Sequence, residues 1–102
     1  EPGGYTGRVA ITWDPAKNDA NLRKHGVSFE EAQALFLSGE DYLERFDDAH
    51  SDTEDRFIAI GPIGLVLVVW TEWEDEVVRI ISARWATSAE RILFITYREG
   101  QA

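Results

Sequence analysis

A short apolar run near the middle of the chain constrains the fold more than any other stretch. Residues 64–70 read Gly-Leu-Val-Leu-Val-Val-Trp, with no polar side chain among them. Three valines and a tryptophan favour a β-strand over a core helix, and the lack of polar alternation indicates a strand buried on both faces. We therefore expect the centre of a sheet here, with other elements packed over it.

Two further strand-like segments flank this run. Residues 56–60 precede it across a short Gly-Pro-containing turn, and residues 77–84 follow it across three acidic residues. Connections this short join antiparallel neighbours. The sequence therefore predicts a three-stranded antiparallel meander over about 56–84.

Capping signals mark the helices. Asp14 suits the N-cap before Pro15, and Gly26 suits a left-handed cap that ends the first helix at about residue 25. Two S/T-x-x-E capping boxes follow, at 28–31 and 87–90. They predict a second helix that Gly39 closes, and a last helix that ends at about residue 98.

The predicted elements form one α+β domain, because two N-terminal helices precede an antiparallel meander and one C-terminal helix follows it. An edge strand is expected at 9–13, and a further short strand is a candidate at 42–46. We place the domain at residues 9–98, after a flexible leader at 1–8 and before a tail at 99–102. The chain length of 102 residues fits a single core.

Nearly all of the net charge of -9 lies in one central segment. Residues 28–55 contain ten acidic side chains and one basic side chain. Residues 1–27 contain three acidic and four basic side chains, and residues 56–102 contain six acidic and five basic ones. This distribution remains compatible with an RNA-binding surface built from the two ends of the chain. The acidic segment is either a solvated face or a docking site for a basic partner.

Composition excludes several classes of site. The chain has no cysteine, which rules out disulfides and thiolate metal sites and agrees with a reducing cytoplasm. The chain has no run of 18 apolar residues, so its sequence predicts no membrane span. His50 lies among Asp47, Asp48 and Asp52, but this spacing matches no standard ligand set. We interpret that loop as solvated and expect neither a metal nor another cofactor.

Four strings, taken together and in order, resemble the BrnT family. They are WDPAK at 13–17, NLRKHGVSFEEA at 21–32, EDRFIAIG at 54–61 and RIISAR at 79–84, within a similarity that spans roughly 11–97. The family comprises bacterial type II toxins, which are small ribonucleases of RelE-like fold neutralised by a BrnA antitoxin. The resemblance implies metal-independent RNA cleavage, a BrnA-like antitoxin as partner, and DNA binding only through that antitoxin.

The chain departs from the family pattern at two positions. Trp73 and Trp85 stand where members usually carry basic residues. The resemblance therefore also admits a member with weak or no activity that acts as an antitoxin-binding module. A third hypothesis is an acidic domain that occupies the nucleic-acid site of another protein.

Cleavage of RNA without a metal requires a base, an acid, and cations for the charge that develops on phosphorus. Under the resemblance, the catalytic candidates are His25, Lys24, Arg84, Arg79 and Arg56. The RNA-binding candidates are Lys17, Asn21, Trp85 and Arg91.

Several of these candidates have a second interpretation. His25 is either a proton-transfer group or only a cation at a helix C-terminus, and the lysines of that helix either bind phosphate or are solvated. Arg79 and Arg84 are five residues apart, so they face opposite sides of a regular strand. We favour Arg84 for the site and pair Arg79 with a carboxylate such as Glu72. Arg56 either forms a salt bridge with neighbouring acids or contacts phosphate.

Overall fold

The computed structural model describes residues 3–6, 9–47, 56–62, 64, 66–72 and 77–101, and these form a mixed α+β fold. The described strands are β1 (Gly3–Thr6), β2 (Val9–Thr12), β3 (Leu43–Phe46), β4 (Phe57–Ile60), β5 (Val66–Glu72) and β6 (Val77–Trp85). The described helices are α1 (Pro15–His25), α2 (Phe29–Ala32), α3 (Ala34–Leu37) and α4 (Ser88–Gln101).

The six described strands form one sheet in the order β1-β2-β6-β5-β4-β3. The pairs β4–β5 and β5–β6 are antiparallel, so the predicted central meander is confirmed. The short candidate strand at 42–46 is present as β3, which pairs antiparallel with β4. The strand β5 lies inside the sheet, as its continuous apolar sequence predicts.

The N-terminal part of the sheet differs from the prediction. The strand β2 is not an edge strand, because β6 pairs with it in parallel on one side and β1 pairs with it antiparallel on the other. Residues 3–6, expected in a flexible leader, therefore belong to the sheet. The backbone N–H and C=O groups on the outer side of β2 explain this addition, since an edge strand offers them for pairing.

The capping predictions hold. The Asp14 side chain accepts a hydrogen bond from the Ala16 amide at 2.9 Å. Gly26 ends α1 in the left-handed conformation, with φ at 72°. Both capping boxes are present, at 28–31 and at 87–90.

Two helices have different bounds from those predicted. The helix that starts after Ser28 is divided at Gln33 into α2 and α3. The Gln33 backbone stays right-handed, with φ at -62° and ψ at -22°, which is the tighter geometry of a 3₁₀ turn. The helix α4 continues to Gln101, beyond the predicted end at residue 98. No helix in the described ranges is long and apolar enough to cross a membrane.

Helices cover both faces of the sheet. Trp13 and the side chains of α2 and α3 pack on one face, where the main core also contains Val68, Ile80 and Ala83. On the other face, Phe94 of α4 packs on Ile60, with partly buried Ile58 and Leu43 beside them. We call the first face the core face and the second the α4 face.

Candidate functional site

A cavity of about 360 Å³ lies on the α4 face of the sheet. Its aliphatic lining comes from neighbouring strands, and its polar lining includes two guanidinium groups and one carboxylate. The lining residues are Asp47, Arg56, Ile58, Val69, Ile81, Ser82 and Arg84. An apolar floor beside two arginines suits a ligand that combines a planar or apolar part with an anionic group.

A β-bulge in β6 determines which of its side chains reach this cavity. Val69 of β5 pairs with Ser82, whereas the next residue, Trp70, pairs with Ile80, so Ile81 is an extra residue in β6. The bulge interrupts the alternation of faces. Ile80 and Ala83 are three residues apart, yet both lie in the main core, while Ile81 and Ser82 between them line the cavity.

The bulge also brings Arg79 and Arg84 to the same face. Arg79 pairs with Thr71 and Arg84 with Leu67, and each partner is two residues from the cavity-lining Val69. Residues directly opposite one another, or two apart on one strand, point to the same side of a sheet. The expectation of opposite faces is therefore wrong, because it assumed a regular strand.

Four arginines share the α4 face of the sheet. Arg56 and Arg84 line the cavity, Arg79 lies on the same side of β6, and Arg45 pairs with the cavity-lining Ile58. We call this set the arginine face. It places four of the ten basic side chains of this acidic chain on the face that contains the cavity.

Glu90, in the first turn of α4, holds Arg84 at two points. Arg84 Nη1 donates to Glu90 Oε1 and Nη2 donates to Oε2, both at 2.8 Å. Nη1 also donates to the carbonyl oxygen of Trp85 at 3.3 Å. The hydrogen bonds from Arg84 lower the pKa of Glu90 to about 2, against the opposing effect of burial, and those from Thr87 add to the decrease. The same pair raises the pKa of Arg84.

The two flanks of α4 differ in charge. Arg98 lies with its guanidinium carbon 5.8 Å from the centre of the Phe94 ring, and Arg91 lies two helical turns earlier on the same flank. On the other flank, Tyr97 donates to Asp41 at 2.9 Å. Glu90, which bonds the cavity-lining Arg84, lies two helical turns before Tyr97 on the same flank, and Arg91 and Arg98 lie on the flank opposite it.

The cationic candidates on α1 do not line this cavity, although Asn21 of the same helix accepts a hydrogen bond at 3.5 Å from the cavity-lining Ser82. Lys17 and Lys24 are exposed and His25 is half-buried, and none of the three lines the cavity. The helix α1 contacts β6 and α2. The structure therefore brings Arg56 and Arg84 together, and does not bring Lys24 or His25 to them at this cavity.

Asn21 is buried and has a structural role. Its side-chain amide donates to the carbonyl oxygens of Val27 at 2.9 Å and Ala83 at 2.8 Å, and its oxygen accepts from the Ala83 amide at 3.3 Å. These bonds connect α1 to β6 through backbone groups that strand pairing does not satisfy. The predicted RNA contact of Asn21 does not agree with this buried position.

Trp85 lies on the core side of β6. It pairs with the buried Val66, and half of its surface, 50%, remains exposed. Its ring covers Gly64, where a Cβ atom would overlap the ring. Trp85 and Arg84 therefore point to opposite sides of the sheet, so a direct contribution of the Trp85 ring to the cavity has no geometric support.

Several earlier expectations fall outside the described residues. They concern Trp73, His50 with Asp48 and Asp52, the acids before Arg56, and the side chain of Glu72. Within the described ranges, no three His, Cys, Asp or Glu side chains come together as a metal site.

Sequence reasoning missed Glu90 and Arg45 as members of the site. The capping-box pattern identified Glu90 as a cap, but nothing in that pattern indicates an arginine partner. Arg45 lies in the acidic segment, where one basic residue among ten acidic ones gives no signal of its own.

Comparisons with known proteins identify the family of this chain. Residues 13–90 match the family model described as the ribonuclease toxin BrnT of a type II toxin–antitoxin system. The 1.1 Å crystal structure of the Brucella abortus ribonuclease toxin BrnT is similar, with 30% sequence identity and a TM-score of 0.56. That match covers 76% of this chain and 96% of the Brucella chain. No curated protein matches the chain. The chain therefore belongs to the BrnT family of ribonuclease toxins of type II toxin–antitoxin systems.

Proposed function

We propose that this protein is a metal-independent endoribonuclease that cleaves RNA at the cavity on the arginine face. The observation that carries the proposal is the presence of Arg56 and Arg84 in one cavity with an aliphatic floor. A BrnA-like antitoxin neutralises the enzyme in the cytoplasm, and DNA is bound only through that antitoxin. The RelE-like character of the fold is part of the same proposal.

The chemistry assigns the arginines to the phosphate. Attack of a ribose 2′-oxygen on the adjacent phosphorus increases the negative charge on the phosphoryl oxygens, and preorganised guanidinium groups stabilise that charge. The aliphatic floor, formed by Ile58, Val69 and Ile81, accepts an unpaired base or the ribose. Arg45 and Arg91, outside the cavity, hold the flanking phosphates.

Three side chains are candidates for taking the 2′-hydroxyl proton. Asp47 is the carboxylate among the residues that line the cavity. His25 does not line the cavity, so it is a candidate only through the family resemblance. Lys24 is a candidate on the same ground. The aspartate is supported by its position, and the histidine by the ability of an imidazole ring to accept and donate protons.

The test is cleavage of a defined single-stranded RNA by the purified protein, with and without EDTA. We expect cleavage to survive EDTA and Arg84→Ala to lower its rate about 10²–10³-fold, the usual effect of removing one transition-state donor. Arg23→Ala is the matched control, since Arg23 is exposed on α1. Unchanged cleavage by folded Arg84→Ala would remove the cavity from the proposal, and inhibition by EDTA would overturn metal independence.

A second function is favoured by two observations. Glu90 already occupies two donors of Arg84, and Trp85 stands where a basic residue is expected. We infer as the alternative that the chain has little activity and serves to bind the antitoxin. Co-purification with the antitoxin, together with intact RNA after prolonged incubation, would identify this case.

A further inference from the structure

Glu90 connects the folding of α4 to the geometry of the cavity. We propose that Glu90 is a positioning residue, which holds the Arg84 guanidinium so that one edge of it meets the scissile phosphate. The inference rests on the proposed ribonuclease function and adds to it a residue that does not itself contact RNA. The observation behind the inference is the pair of hydrogen bonds that joins the Arg84 guanidinium to the Glu90 carboxylate.

The pair fixes the plane of the guanidinium. An arginine side chain has four rotatable bonds before its planar head, so an unsupported guanidinium samples many orientations. Two parallel N–H···O bonds to one carboxylate define both the position and the plane of the group. The additional bond from Nη1 to the Trp85 carbonyl oxygen restrains the same nitrogen further.

The carboxylate of Glu90 is itself fixed by the backbone. The Thr87 amide donates to Glu90 Oε1 at 2.8 Å, and the Glu90 amide donates to Thr87 Oγ1 at 3.2 Å. This capping box anchors the carboxylate at the start of a 14-residue helix. Arg84 is therefore held against the end of a secondary-structure element.

The donors that remain on Arg84 suit a phosphate. Both protons of Nη1 and one proton of Nη2 are used by partners in the described part of the chain. Among the described residues the Nε proton and the second Nη2 proton have no partner, and they lie side by side along one edge of the guanidinium. That edge matches two oxygens of a phosphate, and 36% of the side-chain surface remains accessible.

The capping box alone does not require this arginine. Ser28 and Glu31 form an equivalent capping box at the start of α2, and Glu31 makes no ion pair with any arginine that the structure describes. The bond to Arg84 is thus an addition to the cap. Glu31 consequently provides the matched control for a substitution of Glu90.

The experiment compares the cleavage kinetics of Glu90→Gln with those of the parent, both as the full chain, on the same defined single-stranded RNA. Glutamine retains one side-chain oxygen for the Thr87 amide, but it cannot accept both bonds from Arg84. We expect kcat to fall about tenfold, with KM changed less than about twofold, because misorientation affects the transition state most. Glu31→Gln leaves both constants unchanged.

A double-mutant cycle separates positioning from stability. Arg84→Lys removes the planar head, so Glu90→Gln has nothing further to misorient in that background. We expect the double variant to cleave RNA at the rate of Arg84→Lys alone. Thr87→Ala, which weakens the cap and keeps both bonds to Arg84, lowers Tm and leaves the rate within about twofold of the parent.

The outcomes distinguish this inference from the proposed function. Absence of cleavage by the unmodified protein would refute the proposed function itself. Cleavage by the parent with an equal rate for Glu90→Gln, or additive losses in the cycle, would refute the positioning role alone. A faster Glu90→Gln variant would also overturn it, because Glu90 would then be a competitor of the phosphate.

Discussion

Arg84 at the end of β6 and Glu90 in the first turn of α4 are joined at two points, each with a nitrogen–oxygen distance of 2.8 Å. The pair links the last strand of the sheet to the helix that crosses its α4 face. One residue of the pair lines the candidate cavity, and the other caps the first turn of the helix.

The pair should make stability depend on pH in an acidic window. The pKa of Glu90 is about 2 in the folded protein and has a reference value of 4.5, so the carboxylate stabilises the fold above pH 4.5 and loses this contribution as pH falls toward 2. Since both groups still reach solvent, we expect about 1 kcal/mol. Thermal melts of the parent and Glu90→Gln should therefore converge between pH 4.5 and 2; a constant difference would contradict the assignment.

Asn21 should be essential for stability. Asn21→Ala leaves the carbonyl oxygens of Val27 and Ala83 without their donor in a buried site, at a cost of about 2–3 kcal/mol. In a domain of this size, Tm should fall by roughly 10 °C or more. Leu22→Ala is the control, because Leu22 is exposed at the next position of α1. A stable Asn21→Ala variant that loses RNA binding would restore the RNA-contact hypothesis.

Gly64 and Trp85 should be energetically coupled. Gly64 has φ at 60°, and a Cβ atom there would overlap the Trp85 ring. We expect Gly64→Ala to cost about 2–3 kcal/mol through backbone strain and overpacking. In a Trp85→Ala background the overlap disappears and only the backbone strain remains. Chemical denaturation of the four proteins gives the coupling, and additive losses would show that the ring does not cover Gly64.

The arginine face should contribute to RNA affinity in a salt-dependent manner. Arg45→Ala removes a cation beside the cavity without touching its lining. For a single-stranded RNA we expect the slope of log affinity against log salt to fall by about 0.7, the contribution of one phosphate contact. Arg23→Ala on α1 should leave the slope unchanged. Equal slopes for Arg45→Ala and the parent would place the RNA elsewhere.

Local signals in the sequence predicted the local structure. The caps at Asp14 and Gly26, both capping boxes and the central meander follow from short-range chemistry, namely side chains that satisfy helix-end amides and apolar strands joined by short connections. The family strings predicted the relation that the comparisons then showed.

Long-range relationships were not predictable in the same way. The parallel pairing of β2 with β6 joins segments almost 70 residues apart, and no local pattern records it. The Asn21 side chain looks like any polar residue on a polar helix, although its bonds reach Ala83. The position of the cavity depends on strand order and on an irregularity in β6, which alternation rules do not anticipate.

That irregularity gives the chain an uneven tolerance of length changes. Ile81 is the residue by which β6 exceeds its partner, so removing one residue there would restore a regular ladder in which Ser82 still pairs with Val69 and Arg84 with Leu67. The two arginines would then be four residues apart and would stay on one side of the sheet. Adding one residue without enlarging the bulge would instead turn Arg84 into the core and Ala83 out of it. Functional relatives should accordingly place the two arginines of β6 either five residues apart across a bulge or four apart on a regular strand.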